Sequence, residues 1–220
     1  MRKAVRVLDL FSVERPYWGP TEVAGELGIA KSTAHALLAE LTAAGLTARL
    51  PCGRYHLGWR MLGLARTMLA TSRYYEEIMP AARMLASHFG ETVHIAAWER
   101  GRVLYVATVR PAGGVAAPAE PVAAQLTPPG TVLLAERAGD TASGLDAGEL
   151  ERTLRRGYAV GAQRALDGVD CAAAPVRMSD EPATAALALC APRDRLQARR
   201  DEFARAIVGA GERIRRAVRR

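Results

Sequence analysis

The chain has 220 residues, half of them hydrophobic, which is enough for one large folded domain or two modest ones. Its formal charge of +7 is unevenly placed: residues 1–73 carry ten Lys/Arg against five Asp/Glu, residues 74–192 ten against fourteen, and residues 193–220 ten against four. The basic N-terminal third suits a polyanionic partner, and the acidic middle argues against DNA affinity spread along the whole chain.

In chain order, residues 3–13 predict a first helix, with Ala4, Val7, Leu8 and Phe11 as its apolar stripe and Arg2, Lys3 and Arg6 near its start. Pro16 and Pro20 bracket a turn in which Trp18 reads as a packing residue, and Pro20 pre-sets the first turn of the next helix. Val23, Ala24 and Leu27 then share one helical face, and Gly28 ends that helix in a tight turn. A further helical run follows, with Ala34, Leu37, Leu38 and Leu41 inward and Gly45 as its stop. Residues 46–50 and 55–57 flank Pro51-Cys52-Gly53-Arg54 and read as a small hairpin. Helix, tight turn, helix and hairpin together make a winged helix-turn-helix, whose second helix enters the DNA major groove.

The outward residues near the start of that helix are the candidate DNA contacts: Lys31, Ser32, Thr33 and His35. Lysine and hydroxyls suit phosphates and base edges. His35 is open to two readings, a phosphate donor or a solvated helix residue, and one of the two hydroxyls is claimed if it caps the helix. Arg49 and Arg54 bracket the hairpin and read either as contacts to the DNA backbone or minor groove or as a charged loop.

Residues 58–72 predict a helix with Met61, Leu62, Ala65, Met68 and Leu69 on its apolar side, suited either to joining two domains and packing against a second copy of the chain or only to covering its own core. After a junction at Tyr74–Tyr75, another helix runs through His88 with Ile78, Ala82, Leu85 and Phe89 buried, and Pro80 in an early turn or at a kink. The period then changes to two. Residues 92–98 and 102–109 are strands joined by Glu99-Arg100-Gly101, hence antiparallel neighbours. Residues 110–130 hold five prolines and predict a loop with at most one short strand. Helices begin at Thr131 and Asp146, strands at Tyr158, Cys171 and Thr184, and a terminal helix covers residues 194–219. The Ala- and Leu-rich strand at 184–190 predicts a central position covered on both faces. The fold class is α+β.

The runs AVRVLDLFS (4–12), TEVAGELGIAKSTAHALLAELTAAGL (21–46) and GRYHLGWRMLGLA (53–65) resemble the N-terminal domain of the IclR-type bacterial transcriptional regulators. GETVHIAAWERGRVLYVATV (90–109), GTVLLA (130–135), RRGYAV (155–160) and DGVDCAAAPVR (167–177) are similar, in order, to that family's effector domain, so the resemblance covers nearly the whole chain. It implies a winged helix at 1–57, a linker helix at 58–73 and a GAF-like antiparallel sheet domain with flanking helices at 74–220. It also implies a homodimer or homotetramer bound to a double-stranded operator, with a small-molecule effector bound by the second domain.

By the same resemblance the effector-binding positions are Thr127, Gly130, Gly161, Cys171, Ala188 and Cys190. Ala188 and Cys190 stand where the family often has carboxylate-binding serines, Gly161 at an often acidic position, Gln125 at a histidine position and Thr131 at a lysine position. Those departures remove charged and hydroxyl partners, and an unpaired buried charge is costly. The expected effector is therefore small and largely apolar, or the protein works without one. The alternative reading is a winged-helix scaffold that binds protein and not DNA.

No catalytic set is legible, because nothing in the sequence orients Cys171 against His88 or His94. The three cysteines, Cys52, Cys171 and Cys190, form no CxxC pair, so no metal site is expected, and a scattered odd set fits a reducing compartment better than a disulfide scaffold. No cofactor is expected. No apolar run reaches transmembrane length, and the reading is a soluble cytoplasmic protein.

Overall fold

The computed structural model describes residues 1–71, 73–137, 144–179 and 181–218, the side chains of 73–75 excepted. The expected helix ends at Ser72 and Arg219 fall outside the described residues. The chain divides into two compact units, Met1–Ser72 and Arg73–Arg220.

In the first unit, α1 (Arg2–Leu8), α2 (Pro20–Leu27) and α3 (Lys31–Ala43) precede a hairpin of β1 (Thr47–Arg49) and β2 (Tyr55–Leu57), and α4 (Trp59–Thr71) follows. The predicted first helix is shorter than expected. It ends at Leu8, and its apolar stripe continues through two tighter turns, with Leu10 N bonded to Val7 O and Phe11 N to Leu8 O. Gly28 closes α2 at φ 64, a left-handed conformation open to glycine at little cost, and this aims α3 away from α2. Val7, Trp18, Val23, Ala24, Ala34, Leu38, Leu41 and Tyr55 form the core. Trp18 locks the wing to it: its ring N–H donates to Leu10 O at 2.8 Å and its backbone bridges Tyr55.

The second unit begins with α5 (Arg73–Phe89), which carries Pro80 inside it without ending. The strands are β3 (Thr92–Glu99), β4 (Arg102–Val109), β5 (Val122–Ala123), β6 (Ala159–Ala162), β7 (Val169–Val176) and β8 (Ala185–Pro192), in the sheet order β5-β4-β3-β8-β7-β6, antiparallel throughout. The Ala/Leu-rich β8 is central and buried along nearly its whole length, as its composition predicts. Between β5 and β6 lie α6 (Pro128–Ala135) and α7 (Ala147–Arg156).

The predicted terminal helix is two helices, α8 (Arg193–Ala198) and α9 (Arg200–Val218), because Arg199 leaves helical geometry at φ −126. Side chains alternate across the strands. Val93, Ile95, Ala172, Ala174, Leu187 and Leu189 pack with Ile78, Leu85, Phe89, Phe203, Ile207 and Ile214 of α5 and α9. The opposite face, holding Cys171, Ala173, Ala186, Ala188 and Cys190, is covered by Val132 and Leu133 of α6.

One expectation about the cysteines is corrected. Cys171 and Cys190 are joined by a disulfide, and Cys52 is free and exposed. They are separated by 19 residues in sequence, but the β7–β8 register sets them directly opposite each other with Cα atoms 4.2 Å apart.

Candidate DNA-binding surface and effector face

The first turns of α3 present Lys31, Ser32, His35 and Ala36 to solvent, with Thr33 half-buried, while Ala34, Leu38 and Leu41 point into the core. Ala30 precedes the helix with no side-chain cap, so neither Ser32 nor Thr33 is used up as an N-cap and both hydroxyls are available on the surface. The helix start therefore offers free backbone N–H groups, a lysine and two hydroxyls, all suited to an anion.

The two wing arginines differ. Arg49 is exposed, its guanidinium 6.0 Å from the Tyr55 ring centre. Arg54 donates to Tyr17 O at 2.8 Å and to the Glu22 carboxylate at 3.0 and 3.1 Å. Glu22 also accepts from Gly19 N at 2.6 Å and from Arg15 at 3.0 Å. The Gly19 N–H, then Arg15 and Arg54, hold the Glu22 carboxyl below its usual range. Glu22 thus ties the wing to the start of α2, a role the sequence reading did not assign to it.

On the second unit, the six effector positions expected from the sequence do not share one opening. Thr127 and Gly161 line a cleft of about 120 Å³ together with Gln125, Thr131, Glu149 and Arg164. Cys171, Ala188 and Cys190 lie beneath α6, fully buried in the sheet. Gly130 is buried in α6 itself, where a Cβ would stand 2.0 Å from Ala124 O, so only glycine fits. Thr127 caps α6, its hydroxyl accepting from Gly130 N at 3.0 Å.

The same sheet face is less apolar than the sequence reading expects. Thr92 and His94 of β3 pair with Cys190 and Ala188, and so share their face. His94 packs edge-on against the Tyr105 ring, 5.3 Å between centres, with Nδ1 at 2.9 Å from Thr108 Oγ1. Burial, and to a lesser extent the charge of Arg110, lower the His94 pKa to about 4, so the ring is neutral at physiological pH. Gln163, two residues beyond Gly161, donates through Nε2 to the Tyr105 hydroxyl. Burial raises the Tyr105 pKa, keeping the hydroxyl protonated. In sheet order β4 and β6 are separated by β3, β8 and β7, so a Tyr105–Gln163 hydrogen bond requires the sheet to curl around this face.

Residues 2–51 match the IclR helix-turn-helix domain, and residues 144–216 match the C-terminal domain of the bacterial transcriptional regulator IclR. The chain belongs to the IclR family. IclR-type proteins of known structure resemble nearly the whole chain in fold. A regulator from Alicyclobacillus acidocaldarius does so with a TM-score of 0.82 at 23% identity over 99% of this chain and 97% of the other. An IclR homolog from Microbacterium hydrocarbonoxydans, solved with 4-hydroxybenzoate, does so with a TM-score of 0.79 at 22% identity over 99% and 98%.

Among curated relatives, a glycerol operon regulatory protein of Streptomyces griseus is 29% identical over 89% of this chain and 85% of its own length. One from Streptomyces coelicolor is 31% identical over 48% of this chain and 42% of its own. This IclR-family chain is therefore a DNA-binding transcriptional regulator and not an enzyme, and none of these relatives supports the protein-scaffold alternative. Its α+β architecture, a helix-turn-helix unit followed by a curled antiparallel sheet with helices, is that of the family. Among the described residues no helix is long and apolar enough to cross a membrane.

Proposed function

We propose that this regulator binds a double-stranded operator through the exposed start of α3, with Lys31 on phosphate, Ser32 and Thr33 reading base edges, and His35 and Arg49 on the flanking backbone. The exposure of Lys31, Ser32 and His35 above a core closed by Ala34, Leu38 and Leu41 carries the reading. Arg54 contributes by fixing the wing through Glu22 more than by reaching DNA. We divide the chain into a winged helix at 1–57, a linker at 58–73 and an effector domain at 74–220.

One recognition helix sees too few base pairs for tight specificity, so two copies act together. The pairing element is α4. None of its residues is buried, and Trp59, Leu62, Leu64 and Met68 are exposed. The sheet domain senses a small uncharged effector, since the face at positions 188 and 190 offers alanine and a disulfide sulfur and no charge. The protein works in the cytoplasm, where the operator is.

Fluorescence anisotropy on a duplex, titrated with salt, tests the DNA surface. Lys31→Ala should weaken binding to every duplex and lower the salt slope by about 1. Ser32→Ala or Thr33→Ala should change the ranking of sequences more than overall affinity. An unchanged salt slope in Lys31→Ala would remove Lys31 from the phosphate contacts.

A further inference from the structure

Three side chains on the curled face of the sheet are closed off from solvent with a polar atom that lacks a partner: Thr92 Oγ1, His94 Nε2 and Gln163 Oε1. Thr92 and His94 are 0% exposed and Gln163 1%. Buried polar groups are nearly always hydrogen-bonded, and an unmet one keeps its desolvation cost. Three on one face is a cluster, not a scatter. Thr92 and His94 are alternate residues of β3, and His94 and Gln163 both touch Tyr105.

The chemistry of the three groups selects a ligand. Gln163 Oε1, an amide oxygen, only accepts, so it needs a donor, while one N–H of Nε2 goes to Tyr105. Neutral His94, whose Nδ1 is engaged with Thr108, offers Nε2 as donor or acceptor according to tautomer. Thr92 Oγ1 serves either way. A carboxylate only accepts, is repelled by the amide oxygen, and meets no buried cation among the described residues. Arg110, whose charge reaches His94, is exposed and directs its guanidinium to Gly114 O. A hydroxyl both donates and accepts, so several hydroxyls on one small molecule satisfy all three groups without bringing in charge.

We propose that this face binds a small uncharged polyol, held by Thr92 Oγ1, His94 Nε2 and Gln163 Oε1. The face is shut in this structure. The turn at 111–114 rests on Thr92 so closely that a Cβ on Gly114 would lie 2.6 Å from Thr92 Oγ1. Binding lifts this turn, and the unmet groups favour the lifted state only when hydroxyls arrive to pair with them. That differential is what couples ligand to conformation.

The proposal rests on the second unit being the sensor of an operator-binding protein, and the two are tested separately. Calorimetry on the full-length chain with glycerol, xylitol and succinate should give saturable heat for a polyol in the millimolar range and none for succinate. Thr92→Val and Gln163→Leu should each weaken polyol binding about tenfold or more. Thr92→Val should also raise the melting temperature of the ligand-free protein, because an isosteric methyl replaces an unmet hydroxyl; a hydroxyl serving the fold alone would lower it. No saturable polyol binding in a chain that still binds duplex, succinate bound in place of polyols, or polyol binding untouched by both variants would overturn the proposal. Failure of the wild-type chain to bind any duplex would instead overturn the operator-binding reading.

Discussion

Leu38→Ala separates the two units energetically. Leu38 is fully buried at the centre of the winged-helix core, among Val7, Val23, Ala34 and Leu41. Truncating a buried leucine costs about 2–5 kcal/mol, the lost transfer free energy plus the cavity. A core built from eight buried residues in a unit this small supplies on the order of 3–5 kcal/mol, so the substitution removes most of its stability. At about 4–8 °C per kcal/mol for a domain of this size, a mid-range loss of about 3 kcal/mol lowers the first unit's transition by roughly 12–24 °C.

The sheet core, around Leu187, Leu189, Phe203 and Ile207, shares no residue with the winged-helix core and should melt where it does in the wild type. Differential scanning calorimetry with limited proteolysis reads both: early cleavage within residues 1–72, an intact C-terminal fragment, and loss of duplex binding. A variant whose two units destabilise together, or one that loses less than about 0.5 kcal/mol, would refute the reasoning from separate cores.

The α4 surface predicts assembly. Leu62→Glu with Met68→Glu should shift sedimentation from dimer or larger toward monomer and lose specific duplex binding without unfolding the chain, since both side chains are more than half exposed; a wild-type monomer, free and on DNA, would contradict it. His94 predicts a pH dependence. Its folded pKa of about 4 lies below the unfolded value near 6.5, so the neutral ring's contribution is fully present above about pH 6.5 and is lost as pH falls through 4. The whole difference is on the order of 3 kcal/mol, and His94→Asn should flatten the curve of denaturant midpoint against pH. A wild-type midpoint that rises on acidification from pH 6.5 to 4.5, and loses that rise in His94→Asn, would reverse the assignment.

What the sequence makes legible follows the range of the physics. The α2–α3 turn is readable because Gly28 and the three- and four-residue spacing of Val23, Leu27, Ala34 and Leu38 are local signals. So is the β3–β4 hairpin, closed by Glu99-Arg100-Gly101, with Arg100 and Gly101 both at positive φ. The start of α6 is signalled too, by Thr127 as cap and Pro128 at the first turn, but it is hidden among the five prolines of residues 110–130, which read as a loop. The α8–α9 break at Arg199 has no glycine or proline to announce it.

Strand register is not a local property. The Cys171–Cys190 bond depends on the alignment of β7 with β8, and the polar cluster depends on Tyr105 meeting Gln163 across 58 residues of sequence. The signal available in sequence is the alternation of Thr92 and His94 in a strand whose other residues up to Trp98 are apolar, which marks two polar side chains facing one side of a buried strand.

Selection of bound duplexes from a random pool by the full-length protein tests the central claim most directly. The account predicts enrichment of a motif with paired half-sites about one helical turn apart or a multiple of it, a motif that changes at defined positions when Ser32→Ala or Thr33→Ala replaces the wild type. No enriched duplex, together with equally weak binding to single strands, would contradict it.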